Sequence, residues 1–245
     1  MPDATLRDRI LRPVRESNVF ESTVEHLASA VRLGVLIEGE KLPPERELAA
    51  RLGVSRVTLR EAIAALRDSG LVSTRPGRGG GTVVTYDPED HSQLRAEDAD
   101  LTAAGVRDAL DFRRVVEPGA AYLAAQRPTT EREHDRLRSL EAVVRATDSD
   151  RHAHRVADAR LHLAVASLCG SPTLIEAVAR AQESLRLLLA QMAIFHRNIS
   201  SSHAQHRALV SAVIRGDPHA ARAVTEEHCD ATAALLRGLV LKETS

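Results

Sequence analysis

Apolar residues recur every three or four positions along most of this 245-residue chain, a period that predicts helices rather than strands. After a charged, patternless arm over residues 1–21, Val24, Leu27, Ala28, Val31 and Val35 mark a first amphipathic helix. Leu48, Ala49 and Leu52 then stripe a short helix over Glu45–Leu52, and Leu59, Ala62, Ile63 and Leu66 stripe another that Gly70 ends. Pro44 suits a first helical position, where its missing N–H costs nothing. Gly53 permits a sharp turn between the two helices, and the Ser55 hydroxyl can cap the second. Beyond Gly70, Leu71–Arg75 and Thr82–Thr85 read as two short strands joined by PGRGGG. Helix, tight turn, helix and glycine-tipped hairpin is the layout of a winged helix-turn-helix.

The polar, turn-rich stretch Tyr86–Asp100 reads as a linker. From Leu101 onward every strong signal is helical, with breaks at Pro128–Thr130, Thr147–Asp150, Gly170–Pro172, Asn198–Ser202 and Gly216–Pro218. Those breaks delimit six helices, and Pro118 is expected to kink the first. The fold class is therefore mostly α. Residues 1–85 form a winged helix-turn-helix, residues 86–100 a linker, and residues 101–245 an all-α antiparallel bundle of six helices.

A recognition helix presents its N-terminal residues to base edges in the major groove, and Ser55, Arg56, Thr58 and Arg60 occupy those positions here. Arginine there can fork onto guanine or clamp a phosphate, and the sequence does not divide these roles. Arg78 supplies the wing's charge, and Gly79 and Gly80 let backbone approach a phosphate or the minor groove.

In the second half, polar side chains fall on stripes that should be buried. Asp158 and His162, four residues apart, share a face with Val165 and Cys169. His206 is in line with Leu209, Val210 and Val213, and His228 with Val224, Ala231 and Leu235. A lone histidine on an apolar stripe is more often a hydrogen-bonded core residue. Together, however, three helices offer one carboxylate and three imidazoles to one interior, and a divalent cation would compensate the buried carboxylate. His203 could compete as a ligand. His152 and His154 read as surface residues, and Cys229 points away from His228.

Composition narrows the partners. Net charge is −1, with 13 basic against 11 acidic residues in 1–85, so DNA binding must depend on local placement of arginines rather than on bulk charge. An aromatic fraction of 2% with no Trp argues against a single-stranded nucleic-acid binder, which stacks bases on rings. Cys169 and Cys229 read as reduced core thiols. No signal peptide or apolar run of membrane length is evident, so a cytoplasmic protein with no membrane partner is expected.

LPPERELAARLGVSR, SRVTLREAI and the closing GLV with its glycine-rich wing resemble the DNA-binding domain of the GntR family of bacterial transcriptional regulators. The wing departs from that pattern in its glycine content and in lacking an aromatic on the returning strand. The resemblance implies operator contact by Arg46, chiefly with phosphate, and by Ser55, Arg56, Thr58 and Arg60. Residues from about Ala103 to Leu239 resemble the FCD ligand-binding domain of the FadR subfamily. That likeness implies a metal on Asp158, His162, His206 and His228, with coordination positions left open for a small carboxylate effector or water. It also matches Arg113, in FRRVVEP, to an arginine facing the effector cavity; the alternative is a helix-surface pair with Glu117. Ser171 stands where the family often has Asn.

The expected function is a homodimeric regulator, most simply a repressor, reading a palindromic double-stranded operator under control of a small organic acid. Zinc suits the ligands best, with nickel or manganese as alternatives. A different class would be a metal-dependent hydrolase or lyase carrying a DNA-binding appendage, although no HExxH-type motif is present. A third reading makes the metal itself the signal.

Overall fold

The structure, a computed structural model, describes residues 19–75, 80–86, 102–147, 150–190 and 199–240. Among them the elements are α1 (Val19–Arg32), α2 (Glu45–Leu52), α3 (Arg56–Asp68), β1 (Val72–Arg75), β2 (Gly81–Val84), α4 (Ala103–Gln126), α5 (Glu131–Ala146), α6 (Arg151–Ser167), α7 (Pro172–Ala190), α8 (Ile199–Ile214) and α9 (Pro218–Val240). The described residues fall into two compact units, within Met1–Ala28 plus Gly39–Thr85 and within Ser29–Glu38 plus Tyr86–Ser245.

In the first unit α2 stops because Gly53 adopts φ 66°, from which its N–H donates to the carbonyls of Ala49 and Ala50. Ser55 caps α3, its Oγ accepting from the Thr58 N–H at 3.0 Å. The stripe read from the sequence is the buried one: Leu59, Ala62, Ile63 and Leu66. β1 and β2 pair antiparallel from Val72 opposite Val84 to Arg75 opposite Gly81. A third extended segment joins this hairpin, with Lys41 bridging Val83, Leu42 N–H donating to Thr82 O and Val84 N–H donating to Glu40 O. Residues 40–42 carry no strand pattern of their own, so only these non-local bonds reveal the segment.

α1 ends at Arg32 and Gly34 turns at φ 67°, so Val35 lies beyond the helix and is 54% exposed rather than on its buried stripe. Tyr86, expected at the head of the linker, is buried.

The second unit contains the six helices α4 to α9. Thr102 caps α4 by accepting from the Gly105 N–H, and the helix continues through Pro118 to Gln126. α4 packs most extensively on α9 and α7 and also touches α6 and α8, which makes it the central helix. Its Ala121, Ala124 and Ala125 meet Leu137 and Val144 of α5, Leu161 and Val165 of α6, and Leu209 and Val213 of α8. Small residues on α4 let these neighbours approach closely. A reciprocal capping box between Thr130 and Glu133 starts α5. None of the described helices is long and apolar enough to cross a membrane.

A Cβ at Gly53 would meet nothing within 4 Å, so the cost of a side chain there is conformational. Gly53→Val should destabilise the first unit by about 1–2 kcal/mol, measured by urea denaturation. An unchanged midpoint would contradict the need for a left-handed residue at this turn.

Candidate metal centre and nucleic-acid interface

The centre of the second unit is organised by Glu117, whose side chain is 2% exposed. One turn earlier on α4, Arg113 donates from Nε to Glu117 Oε1 at 2.8 Å, and Gln182 of α7 donates from Nε2 to the same oxygen at 2.7 Å. His162 Nδ1 of α6 lies 3.0 Å from Glu117 Oε2, which also accepts from the Cys229 thiol of α9 at 3.9 Å. Burial alone would raise the Glu117 pKa, but Arg113 and then His162 outweigh it and hold this carboxylate far below its ordinary range. Burial likewise opposes the charge on Arg113, and Glu117 more than restores it. The sequence offered a helix-surface pair as the alternative for Arg113. The pair does form, but it is buried, and both Arg113 Nη atoms lack a hydrogen-bond partner.

Glu117 engages His162 through Nδ1 and leaves Nε2 facing the other predicted ligands. Gln205 of α8 does the same for His228, its Oε1 lying 3.1 Å from Nδ1. Assigned from these partners, both rings carry their proton on Nδ1 and turn Nε2 inward. His206 Nε2 is 3.0 Å from Asp158 Oδ1, and His162 Nε2 is 3.9 Å from Asp158 Oδ2. Neither contact has the alignment of a hydrogen bond: His162 Nε2 and both His206 ring nitrogens lack such a partner. Asp158, His162, His206 and His228 each offer one ligand atom, and these atoms lie within 4.8 Å of one another. With metal–ligand bonds of about 2.0–2.2 Å, neighbouring donors around a five- or six-coordinate ion, which keeps positions open beyond four protein ligands, would sit roughly 3 Å apart, so modest contraction suffices. Buried, unpartnered imidazole nitrogens converging beside a carboxylate fit a divalent ion.

The electrostatics agree with that fit. Burial and then the neighbouring His206 and His162 push His228 well below the ordinary imidazole value, which keeps it neutral and able to ligate. Burial also disfavours charged His162, but Glu117 and then Asp158 outweigh it and raise that pKa. Asp158 is held well below its usual value because the histidines, His206 foremost, overcome its desolvation. Burial pushes the Cys229 thiol up to about 12, which leaves it protonated and unsuited to ligation. His203 is buried but outside the cluster, with its ring 5.8 Å from that of His154. His154, expected at the surface, is instead half-buried, with Nδ1 3.2 Å from the Val144 carbonyl; the His152 side chain lies outside the described residues.

On the first unit Arg46, Ser55, Arg56 and Arg60 are exposed and Thr58 is half-buried. Ser55 and Thr58 are engaged with one another, their hydroxyls 2.8 Å apart. Arg60 donates from Nε to Glu45 Oε2 at 2.7 Å. Arg78 and Gly79 lie outside the described residues. The sequence reading passed over Val57, which is 66% exposed at the start of α3 beside Arg56. Its signal was an apolar residue on the charged face, a type that can touch a thymine methyl. It also passed over Gln182 and Gln205, whose roles depend on partners 65 and 23 residues away.

A capped, exposed helix beside a paired hairpin, carried in one chain with a helical bundle that has a buried polar centre, is the architecture of a DNA-binding regulator with a second, all-helical domain. Comparison with known families matches residues 20–84 to the bacterial regulatory proteins of the gntR family and residues 108–231 to the FCD domain. The chain belongs to the GntR family and carries an FCD domain. It is 34% identical over 226 residues to the Mycobacterium gastri protein described as HTH-type transcriptional regulator RmpR, covering 91% of this chain and 81% of that protein. It is 32% identical over 203 residues to an Escherichia coli (strain K12) protein described as an L-lactate dehydrogenase operon regulatory protein, covering 78% of this chain and 75% of that one. The fold is similar to E. coli McbR/YncC, with a TM-score of 0.55 at 18% identity over 90% of this chain and 98% of that one. The relatives are transcriptional regulators rather than enzymes, which sets aside the hydrolase or lyase reading.

Removing Glu117 would leave Arg113 buried without its counter-charge. Glu117→Ala should cost about 3–5 kcal/mol in chemical denaturation, whereas cutting the exposed Arg222–Glu226 pair by Arg222→Ala should cost about 0–1 kcal/mol. Equal losses would contradict the central place given to Glu117.

Proposed function

We propose that this chain is a transcriptional repressor whose operator affinity is set by a small carboxylate bound at a divalent metal in the helical domain. Asp158, His162, His206 and His228 would hold the ion, with zinc the best match to a set of nitrogen and oxygen donors and nickel or manganese as alternatives. The observation that carries this reading is the convergence of unpartnered His162 and His206 nitrogens on Asp158, next to an arginine with two unpartnered Nη atoms. When bound, the ion supplies a Lewis-acidic centre with positions for an anionic oxygen. Arg113 supplies a guanidinium edge for a carboxylate, held in place by its Nε bond to Glu117. Glu117 and Gln205 orient two of the ligand rings. The E. coli relative's description names an L-lactate dehydrogenase operon, and a small hydroxycarboxylate of that kind agrees with such a site.

Family members bind operator DNA and generally act as dimers. Two copies reading a palindromic operator would each use Arg56 and Arg60 near base edges, with Arg46 on phosphate and Arg78 and Gly79 on the wing. Val57 would add an apolar base contact. The effector changes operator affinity only if it binds the DNA-competent and DNA-incompetent states unequally. Release of DNA on effector binding is the sign of the repressor reading.

His206→Ala should reduce the metal content of the purified chain, measured by elemental analysis, and undiminished content would remove His206 from the ligand set. A proton competes with the ion at His162 below that residue's raised pKa. Metal affinity should therefore rise with pH from about 6.5 upward and level off above that pKa, with release of about one proton, measured by calorimetry in buffers of different ionisation enthalpy. Affinity independent of pH across that window would contradict the assignment. Arg56→Ala should abolish specific operator binding in a gel shift while leaving the melting temperature unchanged, and retained specific binding would contradict its role at base edges.

A further inference from the structure

Val57 is the most outward residue on the first turn of α3. At about 100° per residue, the middle of the buried stripe Leu59–Ala62–Ile63–Leu66 lies about 190° round the helix from it, so Val57 stands directly opposite the core. It is 66% exposed. On the next turn Arg60 lies about 60° to one side and Glu61 about 40° to the other, and both are exposed. Arg60 is drawn toward α2 by its Nε bond to Glu45 Oε2 at 2.7 Å, while the Ser55 and Thr58 hydroxyls engage one another at 2.8 Å. The leading surface of α3 is therefore apolar, between charged neighbours.

Helix stability does not account for this residue. Valine is a weaker helix former than alanine, and so exposed a side chain has no packing to offset that. Nor does it cap α3, a task that falls to Ser55.

An apolar group on a helix in the major groove meets base edges, and these are not equivalent toward it. Guanine, adenine and cytosine present hydrogen-bonding groups there, which an isopropyl group would strip of water without replacing the bonds. Thymine alone adds a carbon group, its C5-methyl. Valine also holds one dominant χ1 rotamer in a helix, so fixing it against a methyl group costs little side-chain entropy.

We infer that Val57 selects a thymine in each half-site of the operator, through contact of its isopropyl group with the C5-methyl. The inference rests on the reading of α3 as the recognition helix and names a base that helix selects. This part of the specificity is carried by carbon contact, independent of any arginine fork.

Selection of bound duplexes from a random pool with the full chain defines the half-site, and deoxyuridine in place of each thymidine then removes one methyl group and nothing else. Replacing the thymine that faces Val57 in one half-site should weaken wild-type binding roughly fourfold, the value of one buried carbon. Val57→Ala should bind the unmodified duplex more weakly, by about fourfold per half-site, and lose sensitivity to that one replacement while remaining sensitive to every other. Its melting temperature should not fall, because alanine is the better helix former, and its salt dependence should match wild type because no phosphate contact is lost. Uracil profiles that coincide in wild type and Val57→Ala, or a wild type indifferent to every replacement, would overturn the inference; loss of selection in Arg56→Ala would still uphold the recognition helix. A full chain that enriches no sequence would overturn both.

Discussion

A carboxylate cannot be buried in the middle of a helical bundle unless several donors meet it, and Glu117 has four, from α4, α6, α7 and α9. That requirement ties four of the six helices to one point. It fixes the His162 ring so that Nε2 turns toward Asp158, and it holds Arg113 by Nε so that its other nitrogens remain available. The candidate metal ligands and Arg113 thus meet on two sides of one carboxylate. Such a centre contributes little net stability compared with an apolar core of equal volume, while loss of one partner strands the others. What it provides is position.

That positioning bears on regulation. A ligand whose carboxylate meets Arg113 while another of its oxygens meets the ion would touch groups from α4, α6, α8 and α9 at once. A small change in how those helices pack would then alter the affinity for the proposed ligand, and by linkage the ligand would alter the packing. The repacking need not be large, because close-packed cores shift between discrete arrangements rather than deforming smoothly.

Much of this was legible in the sequence because it is local. The stripe Leu59–Ala62–Ile63–Leu66, the Ser55 cap and the turn at Gly53 each depend on residues within a few positions, and all appear as read. The six helices of the second unit were marked by their breaks. The convergence of Asp158, His162, His206 and His228 was legible because each interrupts an apolar stripe. Other features depend on distant partners. The bridge at Lys41 arises from pairing across some forty residues, and the roles of Gln182 and Gln205 appear only when α7 and α8 meet their neighbours. Glu117 was visible only as a companion of Arg113, since sequence spacing does not distinguish an exposed i,i+4 pair from a buried one. Val35 falls outside the buried stripe because Gly34 ends the turn before it.

X-ray absorption spectroscopy on the purified full chain tests the central claim most directly. The account predicts a bound divalent ion with nitrogen and oxygen neighbours at about 2.0–2.1 Å and the outer scattering of several imidazoles. A chain that holds no ion when supplied with zinc, or one whose ion has sulfur neighbours at about 2.3 Å, would contradict it.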